Sequence, residues 1–332
     1  MKDLYNVSAY PHIYSQESTA SLMKDVIIAL IPASILGIYN FGLKALLVML
    51  TCIATCLLTE YLYEKLMKLP ITTYDLSAVV TGLLLALNMP HTAPLWMSVI
   101  GSVFAILVVK MLFGGIGQNF MNPALGARVF LVISFGGLMT DFTIPNLSIA
   151  NPGVVDYLAK GSLAVDGITG PTPLTAMKAG ESVDILRMFF GNTGGTIGET
   201  SAIALIIGGI YLIAKKVISW RIPTLYLGSL LIFIIIFGGK GFDLNFLAAH
   251  LFGGGLLIGA IFMATDYTTS PITAQGEIIY AIMLGIMTGI FRIYGSTPEG
   301  VSYVIIFCNL FVPLIDQYVI PKSFGKWVKA HD

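Results

Sequence analysis

A carboxylate and a hydroxyl six positions apart, Asp166 and Thr172, bracket the stretch Asp166-Gly167-Ile168-Thr169-Gly170-Pro171-Thr172. Gly167 and Gly170 permit backbone conformations closed to other residues and let a bulky group approach closely. Pro171 fixes its own φ and biases Gly170 away from helix. Thr172 is thereby presented on a rigid turn, a suitable point of covalent attachment, and Asp166 is placed to orient the hydroxyl or to hold a metal used by a modifying enzyme. The same residue types also make ordinary turns, and composition by itself favours that plainer reading. A second cluster is Phe113-Gly114-Gly115-Ile116-Gly117-Gln118-Asn119-Phe120-Met121-Asn122-Pro123-Ala124. The amides of Asn119 and Asn122 each donate and accept hydrogen bonds, which suits a bound heterocycle; helix capping and close packing account for them equally well. The remaining polar candidates in or near apolar stretches are Asp75, Arg128, His250, Asp266, Arg292 and Asp316. Charges there cost several kcal/mol unless paired or hydrated. Most lie near the expected helix ends, where snorkelling suffices, so they are read as structural. No catalytic residue and no metal ligand is assigned.

The elements that must carry these residues are membrane helices. Of 332 residues, 56% are hydrophobic and only 11% charged, where a soluble domain carries about a quarter charged. Apolar blocks of about 20 residues match a hydrocarbon core roughly 30 Å thick, and the alternation of a β-barrel is missing. The expected fold is an all-α polytopic membrane protein with about ten transmembrane helices, near 23–41, 43–63, 74–89, 93–113, 122–140, 197–217, 220–238, 245–265, 273–293 and 298–320. The polar first residues and the lack of a cleavage pattern before the first apolar block imply a retained first span rather than a signal peptide. Cys52, Cys56 and Cys308 are too few for a cluster, which takes four ligands, and read as small packing residues. No basic tract suggests nucleic acid as a partner; the partner surface is membrane lipid.

Lysine and arginine set the orientation. With the N-terminus in the cytoplasm, twelve of the eighteen cations fall on the cytoplasmic side and six outside. The clusters Lys65/Lys68, Lys215/Lys216/Arg221 and Lys322/Lys326/Lys329 are all inside. Both termini are expected in the cytoplasm. The chain then divides into a cytoplasmic N-terminal segment (1–22), a first five-helix half (23–140), an extracytoplasmic loop with Thr172 (141–196), a second half (197–320) and a cytoplasmic tail (321–332). Five spans per half would invert the second half. Gly82-Leu83-Leu84-Leu85-Ala86-Leu87-Asn88-Met89-Pro90 resembles Gly255-Leu256-Leu257-Ile258-Gly259-Ala260-Ile261-Phe262-Met263, and each run reaches a Thr/Pro segment. Inverted repeats place ligand sites at such short or broken helices; chance likeness between Leu/Gly-rich segments explains the match as well.

Four stretches carry a resemblance to a family. Asp166, Thr169, Gly170 and Thr172 are similar to the flavinylation motif Asp-x-x-(Ser/Thr)-Gly-(Ala/Pro)-Thr of bacterial respiratory flavoproteins, with Pro171 where Ala is commoner. Residues 113–124 resemble the Gly-Gly-x-Gly-x-Asn-x-x-Asn-Pro-Ala segment shared by the D subunits of Rnf complexes and the B subunits of sodium-pumping NADH:quinone reductases. Pro11-His12 with Ser18-Thr19 and Met23, and Phe262-Met263-Ala264-Thr265-Asp266, look like the Rnf D branch. So does the lack of a longer N-terminal extension. The resemblance implies a bacterial inner-membrane subunit of an ion-translocating ferredoxin:NAD+ oxidoreductase, inactive alone. It implies FMN linked through its phosphate to Thr172 by an exported transferase, with Thr169 and Thr175 as nearby competitors. It further implies a noncovalent riboflavin near Asn119 and Asn122. The implied partners are an FMN-carrying G subunit, the A and E membrane subunits, and the peripheral B and C subunits. The chain has no nucleotide fingerprint and no cluster-binding cysteines, so NADH and ferredoxin belong to those partners. Two rivals stand: the quinone-reductase B subunit, and a ten-helix solute channel or transporter, which explains the hydropathy but not the Asp166–Thr172 pattern.

Overall fold

The structure, a computed structural model, describes residues 18–142, 172–178, 183–191, 193–295 and 300–320. The described residues form helices and no strand, because within a hydrocarbon layer a helix satisfies its own backbone groups. Two long helices open the chain, α1 (Thr19–Phe41) and α2 (Leu43–Leu66). Ser18 caps α1 by accepting from the Ser21 amide at 3.2 Å, so the helix begins four residues before the apolar block does. Gly42, at φ +71°, makes the sharp turn between the two.

Next come α3 (Ser77–Leu87), α4 (Leu95–Phe113), α5 (Pro123–Ser134) and a single turn, α6 (Gly136–Met139). Two short helices, α7 (Pro173–Lys178) and α8 (Ile185–Phe190), lie where the sequence suggests only loop. The second half holds α9 (Ala202–Ala214), α10 (Arg221–Phe237), α11 (Leu244–Phe252), α12 (Leu256–Met263), α13 (Ala274–Tyr294) and α14 (Val301–Tyr318).

All ten expected apolar segments are helical, but they are not ten equal spans. Five helices (α1, α2, α4, α13 and α14) are long and apolar enough to cross a membrane, and α11 with α12, bent by 60° at their junction, adds a sixth. The others are shorter. At about 1.5 Å per residue, the 11 residues of α3 reach roughly 16 Å, about half of a hydrocarbon core. They are also the most enclosed: every residue of α3 except Val79 is buried, as is all of Leu256–Met263. The two segments that resemble each other in sequence therefore both run through the centre of the bundle. Asn88, the residue that follows α3, brings its Nδ2 to 3.8 Å from Met263 Sδ.

Packing repeats between the halves. α2 packs on α4 and α10 on α13, while α1 meets α9 and α5 meets α14 across the middle. Close approach depends on small residues. A Cβ on Gly285 of α13 would lie 2.7 Å from the Leu230 amide and 2.8 Å from the Tyr226 carbonyl of α10. On Gly208 of α9 it would lie 2.2 Å from the Ala29 carbonyl of α1. Outward faces are apolar throughout, with Ile35, Leu58, Ile133, Ile210, Ile236 and Leu310 all exposed, as lipid contact requires. Cys52, Cys56 and Cys308 are free thiols with no exposed surface.

Three cations of the orientation count are not loop charges. Lys110 is 3%, Arg128 7% and Arg292 3% exposed. Under the ten-span alternation, setting them aside leaves ten cytoplasmic cations against five. The snorkelling expected of Arg128 and Arg292 does not occur; both end in hydrogen bonds inside the fold. Arg292 donates to the carbonyls of His250 and Gly253, the latter at 2.9 Å. Asp75 accepts from the Ser77 amide at 2.8 Å and Asp316 from the Ile272 amide at 3.1 Å; these two do sit at helix ends.

Candidate cofactor sites

Thr172 is the one member of the Asp166–Thr172 motif among the described residues; Asp166, Thr169 and Gly170 lie outside them. It immediately precedes α7, and its carbonyl accepts from the Ala176 amide at 2.9 Å. Thr175 Oγ1 lies 2.7 Å from that same carbonyl and 2.9 Å from Thr172 Oγ1. A hydroxyl has one proton to give. Thr175 spends its proton on the carbonyl, so Thr172 donates to Thr175 and keeps its own lone pairs uncommitted.

Thr172 opens into a small pocket walled by Thr193, Gly194, Gly195, Glu199, Thr200, Gly253 and Gly254. Gly253 and Gly254 form the break between α11 and α12. Gly254 has φ +65°, and a Cβ on either would come within 2.9 Å of Leu174. The space, about 10 Å³, holds one small oxygen group and no ring system. An FMN esterified here fits at the attachment atom only, and its tricyclic ring has to lie against surface beyond this pocket. The residue is also only 7% exposed.

Behind this pocket lies a polar network with no local signal in the sequence. Arg128 of α5 pairs with Glu199 at 3.3 Å and donates to Asn88 Oδ1 at 3.1 Å and Ser302 Oγ at 2.9 Å. It ties α3, α5, α14 and the 193–201 connection together. That connection also docks directly on the end of α3, with the Ile197 amide donating to the Met89 carbonyl and the Gly198 amide to the Leu87 carbonyl at 3.0 and 2.7 Å.

The opposite turns of α3 face a much larger cavity of about 370 Å³, within the range of small-molecule sites. Its walls come from α1 (Thr19, Met23), α3 (Ser77, Thr81, Leu84), Lys110, Asn119, Asn122, and Ile261 through Thr268 apart from Met263 and Ala264. Three stretches far apart in sequence, around 18–23, 113–124 and 262–266, thus meet on one cavity. Asn122 Oδ1 caps α5, accepting from the Ala124 and Leu125 amides at 3.1 and 3.3 Å, with Pro123 in the first turn. Asn119 Nδ2 donates to the Met121 carbonyl at 3.0 Å. Both amides have structural partners, and both still line the cavity. The positive φ of Gly114, Gly115 and Gly117 folds this loop back so that they can.

Two wide-turn π segments border the cavity: Phe104–Lys110 ends at Lys110, and Gly259–Met263 carries Ile261 and Phe262. Such segments shift side-chain register and occur often at functional sites. Lys110 Nζ bonds Glu60 Oε2 at 2.7 Å and Ser77 Oγ at 2.6 Å, and both charged side chains are buried. The orientation count places Lys110 at the cytoplasmic surface; the structure puts it inside. Glu60 and Glu64, four apart on one face of an apolar helix, are the sequence signal that polar partners are buried there; both are at most 1% exposed. No group of His, Cys, Asp and Glu able to hold a metal occurs among the described residues.

Comparison with known proteins agrees along the whole chain. Residues 6–325 match the model of the NQR2, RnfD, RnfE family. The chain is 48% identical over 324 residues to the D subunit of the Na(+)-translocating ferredoxin:NAD(+) oxidoreductase complex of Acetobacterium woodii, covering 96% of this chain and 95% of that one. It is 40% identical over 325 residues to the D subunit of the proton-translocating ferredoxin:NAD(+) oxidoreductase complex of Clostridium ljungdahlii, covering 98% and 97%. To the D subunit of the ion-translocating oxidoreductase complex of Escherichia coli K12 it is 34% identical over 349 residues, covering 97% and 99%.

Proposed function

The chain belongs to the NQR2, RnfD, RnfE family, and on that premise we propose that it is the D-type membrane subunit of an ion-translocating ferredoxin:NAD+ oxidoreductase. In this reading it carries electrons through FMN esterified to Thr172 and through a noncovalent riboflavin in the larger cavity, while the complex moves Na+ or H+. The observation that carries the reading is the placement of Thr172, whose Oγ1 keeps its lone pairs while the proton of Thr175 is committed to the backbone. The near-complete coverage of two ferredoxin:NAD(+) oxidoreductase D subunits supports the partners, namely the A, B, C, E and G subunits of such a complex and an exported flavin transferase.

A bound flavin would supply reversible electron uptake, which no side chain of this protein offers. The chain supplies the rest. Thr172 gives the ester oxygen, and the glycines at 194–195 and 253–254 leave room for it. At the cavity, Asn119, Asn122, Thr265 and Thr268, with Ser77, Lys110 and Asp266, offer polar edges between apolar side chains such as Met23, Leu84 and Phe262. The lysine and arginine bias under ten-span alternation supports an extracytoplasmic Thr172, where an exported transferase works, with both termini in the cytoplasm.

The test is fluorescence of the denatured protein in a gel, after production with its flavin transferase. A fluorescent band that vanishes in Thr172→Ala and persists in Thr175→Ala is the expected result. A dark wild-type band sinks the covalent reading, and fluorescence surviving Thr172→Ala moves the ester elsewhere. Acid extraction of the purified complex checks the cavity, where one riboflavin per complex is expected; release of none removes the second flavin.

A further inference from the structure

Lys110 is the only cation lining the larger cavity among the described residues, and it is held there by a side chain that does not itself line it. Its ammonium gives 2.7 Å to Glu60 and 2.6 Å to Ser77. An ammonium has three N–H bonds, and the third is left for the cavity. The backing is rigid: Glu60 has no exposed surface, and its Oε1 has no hydrogen-bond partner. A buried ion pair of this kind contributes little net stability, since desolvation offsets most of the attraction. Its position at a cavity wall gives it another use.

We propose that Lys110 is a binding residue for the redox ligand of this cavity, donating its third N–H to an acceptor on the ligand and favouring the ligand's reduced, more negative form. Glu60 is the positioning residue that fixes the ammonium and offsets its charge before the electron arrives, while Asp266 lines the same cavity on the facing segment. The inference rests on the reading of the cavity as a flavin site. An electron that arrives from the preceding redox group of the complex without a proton adds one negative charge to the cavity, and that charge leaves with the electron to the next group. In a low-dielectric site a fixed cation nearby outweighs the same cation in water.

The two single variants have opposite electrostatic consequences, which a merely structural role would not produce. Glu60→Gln leaves Lys110 uncompensated, and Lys110→Met leaves Glu60 uncompensated. In the purified complex, redox titration of the noncovalent flavin is expected to give a raised midpoint in Glu60→Gln and a lowered one in Lys110→Met. The neutral double variant Glu60→Gln/Lys110→Met, which strands no buried charge, is expected to bind added riboflavin about tenfold more weakly, the loss of one charged hydrogen bond. Covalent flavin fluorescence in the same samples reports that the fold is intact. Wild-type complex without extractable riboflavin overturns the cavity reading and this proposal with it. Wild-type complex with riboflavin, but midpoints that move in one direction or not at all together with unchanged affinity in the double variant, overturns the role of Lys110 alone.

Discussion

At the scale of single residues, the molecule separates hydroxyls and charges that look alike in sequence. Thr172 and Thr175 differ by their contacts: Thr175 donates to the Thr172 carbonyl at 2.7 Å, and Thr172 Oγ1 lies 2.9 Å from Thr175 Oγ1. Arg128 and Lys110 differ from surface cations only by their partners. Arg128 ties four segments together, and removing one partner of such a pair strands a buried charge at a cost of about 3–5 kcal/mol. Arg128→Leu should therefore lower the thermal midpoint of the purified protein sharply. Arg128→Leu with Glu199→Leu should recover much of it, since an apolar pair of similar size often replaces a buried ion pair without loss. A double variant no more stable than the single would show that Asn88 and Ser302, rather than Glu199, hold the arginine. Legibility in the sequence follows the same division. Asn122 is legible because a cap followed by Pro123 is a local signal, and the Thr172 expectation rests on Gly and Pro neighbours, which also act locally. For Arg128 and Lys110 the sequence offers only a distance from a helix end, and their partners lie 71 and 50 positions away, where no local pattern reaches.

At the scale of elements, helix existence is legible and helix length is not. Apolar blocks mark all ten segments, yet α3 stops after 11 residues and the 244–263 stretch breaks at Gly253–Gly255. Those stops are set by neighbours: residues 197–198 take up the carbonyls at the end of α3, and hydropathy does not register such a contact. The π segments are equally hidden, because an apolar run such as Phe104-Ala105-Ile106-Leu107-Val108-Val109 is compatible with several helical pitches. Where two helices meet through a glycine, the prediction is steric. Gly285→Val places side-chain atoms inside the Tyr226–Leu230 backbone of α10, whose contact distances are already below 3 Å for a bare Cβ. Overpacking costs typically about 1–3 kcal/mol, and here the obstacle is backbone that cannot rotate aside. The expected result is a loss of thermal stability at least as large as that of Gly208→Val at the α1–α9 contact, read by a thermal-unfolding assay in detergent. Wild-type stability in both variants would mean that the helices pack less closely than these distances imply.

At the scale of the whole molecule, the orientation of the bundle decides which side each cofactor site serves. Under the ten-span alternation the remaining cations still favour one side by two to one once Lys110, Arg128 and Arg292 are counted as internal. Lys65, near the end of α2, and Lys178, at the end of α7, are both exposed, and the bias assigns them to opposite sides of the membrane. Because Cys52, Cys56 and Cys308 are buried, the protein has a quiet thiol background. A single cysteine introduced as Lys178→Cys should react with a membrane-impermeant maleimide applied to cells with a permeable outer envelope. Lys65→Cys should react only after the membrane is opened. Labelling of both from one side would mean that the chain between α2 and α7 crosses the membrane an even number of times. Reversed labelling would put Thr172 in the cytoplasm, out of reach of an exported transferase. The ester reading and the orientation reading then could not both stand, and the gel fluorescence of Thr172→Ala would decide which one falls.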